Sequence, residues 1–167
     1  MTSVLKPKSE KLLKTVFGER WTDAWVCWKG NMTGKRVHAL EAGDLPDEAD
    51  CYFSIALIDA FKWSRSNENV ERVMCLVIDD IGTKIDKEAF EMFFPLEATW
   101  WLETSPGNWQ AGFAIDGGLS REEYDALRAG MKRNAIWGHS DGIDAVHLFR
   151  LPQGSHTKRE PAWRIAA

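Results

Sequence analysis

The feature that most constrains the fold is an apolar run, Val73-Met74-Cys75-Leu76-Val77-Ile78, that leads straight into Asp79-Asp80-Ile81-Gly82. Such a run, rich in β-branched residues and without polar alternation, suits a central strand covered on both faces. A chain that builds one needs material above and below a sheet. With 167 residues, 44% of them hydrophobic, there is enough for one domain with a real core.

The segments around this strand can be read in the same way. Ser9 is placed to cap a helix over residues 9–17, with Gly18 as its stop and Leu12, Leu13 and Val16 on one face. Residues 25–28 read as a strand, 29–31 as a turn and 35–40 as the hairpin partner. Residues 42–49 are acidic and loop-like, 52–58 read as one strand, and 64–69 as a polar loop. Asp86 is an N-cap for a short helix over 86–94, with Pro95 just past its end. Residues 99–104 and 109–115 flank Ser105-Pro106-Gly107-Asn108, whose Pro and Gly positions favour a type II turn, so an antiparallel hairpin is expected. Ser120-Arg121-Glu122-Glu123 is a capping box for a helix to about residue 134. Residues 145–151 form the last strong strand. Strands and helices interleave and hairpins occur, which predicts an α+β fold with a mixed or antiparallel sheet and helices mainly on one side.

Composition removes several function classes. No apolar run approaches the ~20 residues of a membrane span, and residues 1–8 lack the apolar core of a secretory signal. Cys27, Cys51 and Cys75 are odd in number and far apart, which fits neither a zinc pattern nor a disulfide framework. Reduced, buried thiols in a cytoplasmic protein are expected. The net charge of −4 excludes a uniformly basic nucleic-acid coat. It is compatible with a site where acids hold metal ions and basic groups are local. Nine Trp are unusual, and most should be core.

Three segments carry candidate chemistry. Asp79 and Asp80 put carboxylate oxygens at a sheet rim, the hard ligands that Mg²⁺ or Mn²⁺ takes. Adjacent residues of a regular strand point to opposite faces, so both can serve one site only if the strand ends or bulges there. An ordinary strand-end turn explains the same dipeptide. In the second segment, Ser105 and the backbone N–H groups of the turn could receive a phosphate, although a plain hairpin turn also accounts for every residue. In the third, Asp141 and Asp144 precede an apolar strand, and Arg150, His156 and Lys158 follow at its end. Arg grips phosphate as a fork and Lys as a point charge, while a solvated basic strand end is the simpler alternative.

In this order the segments resemble the archaeo-eukaryotic primase superfamily, the primase-polymerases, and within it the RepB-like primases of plasmids and phages. Val77-Ile78-Asp79-Asp80 is similar to the family's acid-ending strand. Thr104-Ser105-Pro106-Gly107-Asn108-Trp109-Gln110 is similar to its nucleotide motif, and Asp141 followed by Arg150-Leu151-Pro152, His156 and Lys158 to its third. The strand at Tyr52-Phe53-Ser54-Ile55 and Arg65 in the loop after it also look like the family. The resemblance covers residues 50–160 of a single catalytic domain spanning 1–167, which could be part of a longer replication protein. It implies a core like an RNA-recognition motif with an N-terminal α/β unit. It also implies template-directed nucleotidyl transfer on single-stranded DNA from nucleoside triphosphates. Asp79, Asp80 and Asp141 (Asp144 as the alternative third acid) would hold Mg²⁺ or Mn²⁺. Ser105, Asn108, Gln110, Arg150, His156 and Lys158 would contact the nucleotide. An exposed Trp such as Trp109 would stack template bases, and a helicase or another replication protein is a compatible partner.

Gln110 stands where many members of the family carry a His, and it cannot carry charge. This motivates a second expectation, a catalytically inactive module that binds nucleotide or single-stranded DNA. A metal-dependent nuclease ranks third, because His38, His139, His147 and His156 show no regular metal-ligand spacing.

Overall fold

The computed structural model describes residues 4–47, 49–138, 145–153 and, for the backbone, 163–165. Asp141, Asp144, His156 and Lys158 lie outside the described residues.

Among the described residues two antiparallel sheets share one core. The first sheet contains β1 (Trp25–Trp28), β2 (Asn31–Arg36), β3 (Cys51–Ser54) and β8 (Leu148–Arg150), in the order β2-β1-β3-β8. The second contains β4 (Ala56–Ile58), β5 (Val70–Ile81), β6 (Trp100–Ser105), β7 (Asn108–Leu119) and β9 (Trp163–Ile165), in the order β4-β5-β7-β6-β9. Every strand pairing among the described residues is antiparallel. The fold is α+β, as expected. The apolar run is indeed central, since β5 is hydrogen-bonded to β4 on one side and β7 on the other.

The segment read as one strand over 52–58 is two strands in different sheets. The Ser54 hydroxyl accepts the Ala56 amide at 3.3 Å, a local bond that diverts the backbone at Ile55. Beyond that point β4 leaves β3's sheet and pairs with β5. The hairpin partner of β1 also shifts. Trp28 pairs with Asn31 across a Lys29-Gly30 turn, with Gly30 at φ 106, so β2 begins at Asn31 and residues 37–39 form a 3₁₀ turn.

Among the described residues three α-helices complete the core: α1 (Pro7–Phe17), α2 (Lys87–Phe93) and α3 (Arg121–Met131). α1 starts two residues before the expected Ser9 cap. Pro7 opens it, with its preset φ and no N–H that would need a partner, and Ser9 is buried in the first turn. Asp86 caps α2 by accepting the Ala89 amide at 2.7 Å. The capping box of α3 is complete in both directions.

The two faces of the second sheet do different work. Trp101 packs edge-on against Phe90 of α2, and Phe113 against Phe94 just after it, so α2 covers one face. Trp100 points the other way, over Gly112 and into Phe53 of the first sheet, which in turn meets Phe17 of α1. The core therefore runs from α2 through the second sheet to the first sheet and α1.

Candidate active site

The acidic pair sits in a β-bulge. On β5, Ile78 pairs with Ala111 and Ile81 with Trp109. Asp79 and Asp80 therefore stand opposite the single residue Gln110. Two residues against one breaks the alternation of the strand. Ile78 and Ile81 share the face of Ala111 and Trp109, while both acids take the face of Gln110, toward the first sheet. The bulge closes through Asp80, which has φ 62 and donates its amide to Asp79 Oδ1 at 2.8 Å. Asp is among the few side chains that tolerate this left-handed conformation.

The loop after the bulge wraps back on the acids. The Asp80 carbonyl accepts from the amides of Thr83, Lys84 and Ile85. Lys84 Nζ lies 2.9 Å from Asp80 Oδ2. Gly82 has φ 93, and a Cβ there would lie 2.1 Å from the Gly107 carbonyl oxygen. Only glycine lets this loop meet the 105–108 turn.

That turn carries the second segment. Gly107 has φ 76, as a type II turn requires at its third position, and donates its amide to Glu103 Oε1 at 2.9 Å. Asn108 is the bridge to the acids: its Nδ2 is 3.4 Å from Asp80 Oδ1, and its Oδ1 accepts the Thr83 hydroxyl at 2.9 Å. Thr104 Oγ1 donates to the Asn108 carbonyl at 3.2 Å. Ser105 is half-buried in the same turn.

Gln110 joins the second segment to the third. It is 1% exposed, and its Nε2 donates to the Arg150 carbonyl at 2.9 Å. Arg150 itself is buried. Its guanidinium holds Asp50 at 2.8 Å and lies 5.2 Å from the Tyr52 ring centroid. Burial raises the Tyr52 phenol above its ordinary range, against a lowering influence from Arg150. Asp79, Asp80 and Asn108 thus form one bonded group on the second sheet, and Gln110, opposite the acids, ties that sheet to Arg150 of the first. Gln110 and Arg150, both expected to contact nucleotide, bond the protein itself through Gln110 Nε2 and the Arg150 guanidinium.

Trp109, the sequence candidate for stacking template bases, is half-buried. It packs edge-on against Trp101, and Lys87 Nζ lies 5.1 Å from its ring centroid. Among the described residues no three His, Cys, Asp or Glu side chains cluster as a metal site. Sequence reasoning missed Lys84, Thr83 and Asp50. Lys84 could have been found from its position four residues after Asp80. Asp50 carried no such signal, because its partner is 100 residues away.

The chain superposes on a solved structure, the AEP domain of the cyanophage S-2L primase-polymerase (PrimPol). The TM-score is 0.73, with 96% of this chain and 89% of that chain covered, at 11% sequence identity. At that identity the likeness speaks for the fold. No protein-family model matches the sequence, and no curated protein does.

Proposed function

We propose that this chain is the catalytic core of a DNA primase or primase-polymerase, of the RepB-like branch, that performs template-directed nucleotidyl transfer on single-stranded DNA. The observation that carries the reading is the bulge that turns Asp79 and Asp80 to one face, beside the Asn108 turn and the Gln110–Arg150 link. The fold supports it, since the similar cyanophage domain is named a primase-polymerase.

The donor set suits Mg²⁺ or Mn²⁺. Two carboxylates supply hard oxygens, and Asp80 already holds one cation, the Lys84 ammonium. Asp79 and Asp80 would hold the ions, with Asp141, or Asp144 in its place, as the third acid. When bound, divalent ions supply Lewis-acid polarisation and charge neutralisation. The protein's own groups do the rest. Asn108 and Thr83 orient Asp80. Ser105 receives phosphate oxygens, and His156 and Lys158 add positive charge toward the triphosphate. Gln110 and Arg150 act as positioning residues that fix the acids and the turn against the first sheet.

The test is primer synthesis on single-stranded DNA with nucleoside triphosphates and Mg²⁺ or Mn²⁺. The parent protein should make product, and Asp79→Ala and Asp80→Ala should reduce it by at least about a hundredfold, as loss of electrostatic stabilisation does. Calorimetry should show weaker Mn²⁺ binding in both variants. A parent that makes no product, together with unchanged metal–nucleotide binding in Asp79→Ala, overturns the reading.

One observation favours a second reading. Gln110 is uncharged and engaged with a backbone carbonyl. This fits a catalytically inactive module that binds nucleotide or single-stranded DNA within a replication assembly, next to a helicase or another replication protein. Binding without turnover in the same calorimetry selects it.

A further inference from the structure

The loop between β4 and β5 combines two properties that seldom occur together. It is rigidly held, and it presents large aromatic side chains to water. Phe61 is 88% exposed and Trp63 is 85% exposed, more than any other large apolar side chain among the described residues.

The clamp is Arg36, a buried side chain at the end of β2. Its guanidinium donates to the carbonyls of Ile58, Asp59, Ala60 and Lys62, at 2.7–3.3 Å. The Asp59 carboxylate accepts the Phe61 amide at 2.8 Å. Asn69 Nδ2 donates to the Ser64 carbonyl and hydroxyl, both at 2.9 Å. The Asp59 amide donates to the Asn69 carbonyl and closes the base of the loop. Further along, Arg65 donates to the Val146 carbonyl, four residues before Arg150. A backbone held at this many points keeps its shape with or without a ligand.

A fixed loop does not need to leave two aromatic rings in water. Each could bury 150–250 Å² (an order-of-magnitude range for such side chains) if the loop folded inward. The two rings alternate with a cation, in the order Phe61-Lys62-Trp63, and Lys62 is exposed with them. Aromatic faces with a cation between them suit unpaired bases joined by phosphates. A purely apolar partner would leave the Lys62 ammonium desolvated.

We infer that the Phe61-Lys62-Trp63 loop is a stacking site for single-stranded nucleic acid, with bases on the two rings and a backbone phosphate at Lys62. This goes beyond the proposed function by naming where the strand lies. It replaces Trp109, whose ring is already engaged, and it stands on the loop rather than on the acids. Because the loop is preorganised, binding orders little of the protein, so most of the stacking energy appears as affinity.

The test is fluorescence anisotropy of a labelled oligothymidylate in EDTA without nucleotide, so that chemistry at Asp79 and Asp80 plays no part. Phe61→Ala and Trp63→Ala should each weaken binding by about five- to a hundredfold, the range for loss of one base–aromatic stack. Trp63→Phe should recover most of the loss. Lys62→Ala should make the dependence of log affinity on log salt shallower by about 0.7, as expected for one phosphate contact on a single strand. Met92→Ala with Phe93→Ala, exposed apolar residues elsewhere, should change nothing. All these side chains are exposed, so the melting temperature should stay within a few degrees of the parent's and a loss of binding cannot be ascribed to unfolding.

Unchanged affinity in the Phe61→Ala/Trp63→Ala double variant overturns the inference. So does an equal loss from the Met92/Phe93 variant, which would indicate non-specific adsorption. If the double variant alters self-association in sedimentation but not oligonucleotide affinity, the loop is a protein contact and the inference also fails. Binding with these signatures but no primer synthesis would sink the proposed activity and leave the loop assignment standing.

Discussion

Asp80 combines two features at one position: a carboxylate in the candidate site and a left-handed backbone at φ 62. The two can be separated by substitution. Asp80→Asn keeps a side chain that tolerates φ 62 and removes the charge. Its stability should lie within about 0.5 kcal/mol of the parent, as for a substitution that leaves the backbone unstrained. Asp80→Ala adds a left-handed penalty of about 1–2 kcal/mol. Denaturant melts should therefore separate the variants, while Mn²⁺ calorimetry should find both weakened. If Asn is as destabilising as Ala, the carboxylate rather than the backbone maintains the bulge. Gln110 is a second case. Gln110→Leu leaves the buried Arg150 carbonyl without its donor and should cost about 1–3 kcal/mol in the same melts. At this scale residue type was legible and geometry was not. An acidic pair at a strand end can be read from the chain, but a bulge belongs to two strands. Its existence depends on Ala111 and Trp109 pairing with Ile78 and Ile81. Likewise, the chain shows that Arg150 is basic but not that Asp50 lies beneath it.

At the level of elements, local signals were read correctly and long-range ones were missed. The Asp86 cap, the capping box of α3 and the Pro-Gly hairpin turn each involve groups within four residues of one another, and all appear as expected. The break at Ile55 did not announce itself, because residues 52–58 are almost uniformly apolar and both halves are buried against different sheets. β9 was missed for a related reason. Three residues, Trp163–Ile165, carry too little pattern, and their strand identity comes from pairing with the edge of β6. The contact between the acid loop and the 105–108 turn is also non-local, and it rests on Gly82. Gly82→Ala places a methyl against the Gly107 carbonyl and strains φ 93, and should cost about 1–3 kcal/mol. The useful readout is the pairing of effects. Thermal stability and Mn²⁺–nucleotide affinity should fall together, whereas Gly43→Ala, at φ 96 in open space, should lower stability only. Equal loss of affinity in both variants would mean that the acid loop and the turn act independently.

Across the whole molecule, the two sheets are one cooperative unit because the chain crosses between them at Ile55 and aromatic rings fill the seam. Trp100 is fully buried, covers Gly112 and meets Phe53 of the other sheet. Trp100→Ala should cost about 3–5 kcal/mol, the range for truncating a buried aromatic. Circular dichroism and tryptophan fluorescence should still report one transition. The thiols test the same unit from another side. Cys27, Cys51 and Cys75 are all fully buried, one on β1 and one on β3 of the first sheet and one on β5 of the second. Burial pushes Cys27 up to about 11 and Cys51 up to about 12, and raises Cys75 as well. In the unfolded chain these thiols ionise near their ordinary 9.0, so the unfolded state loses protons first. Their contribution to stability is whole below that pH and is lost progressively as pH rises through the native values. The melting temperature should therefore fall above about pH 9, and a Cys27→Ala/Cys51→Ala variant should fall less steeply than the parent. Lysine titration acts on both proteins alike and cancels in the difference. A thiol reagent at about pH 8 should find the cysteines of both sheets unreactive in the native state and reactive together on unfolding. If Cys27 and Cys51 became reactive in denaturant before Cys75, the sheets would be separable, and the Gln110–Arg150 link between them would not survive as a fixed geometry.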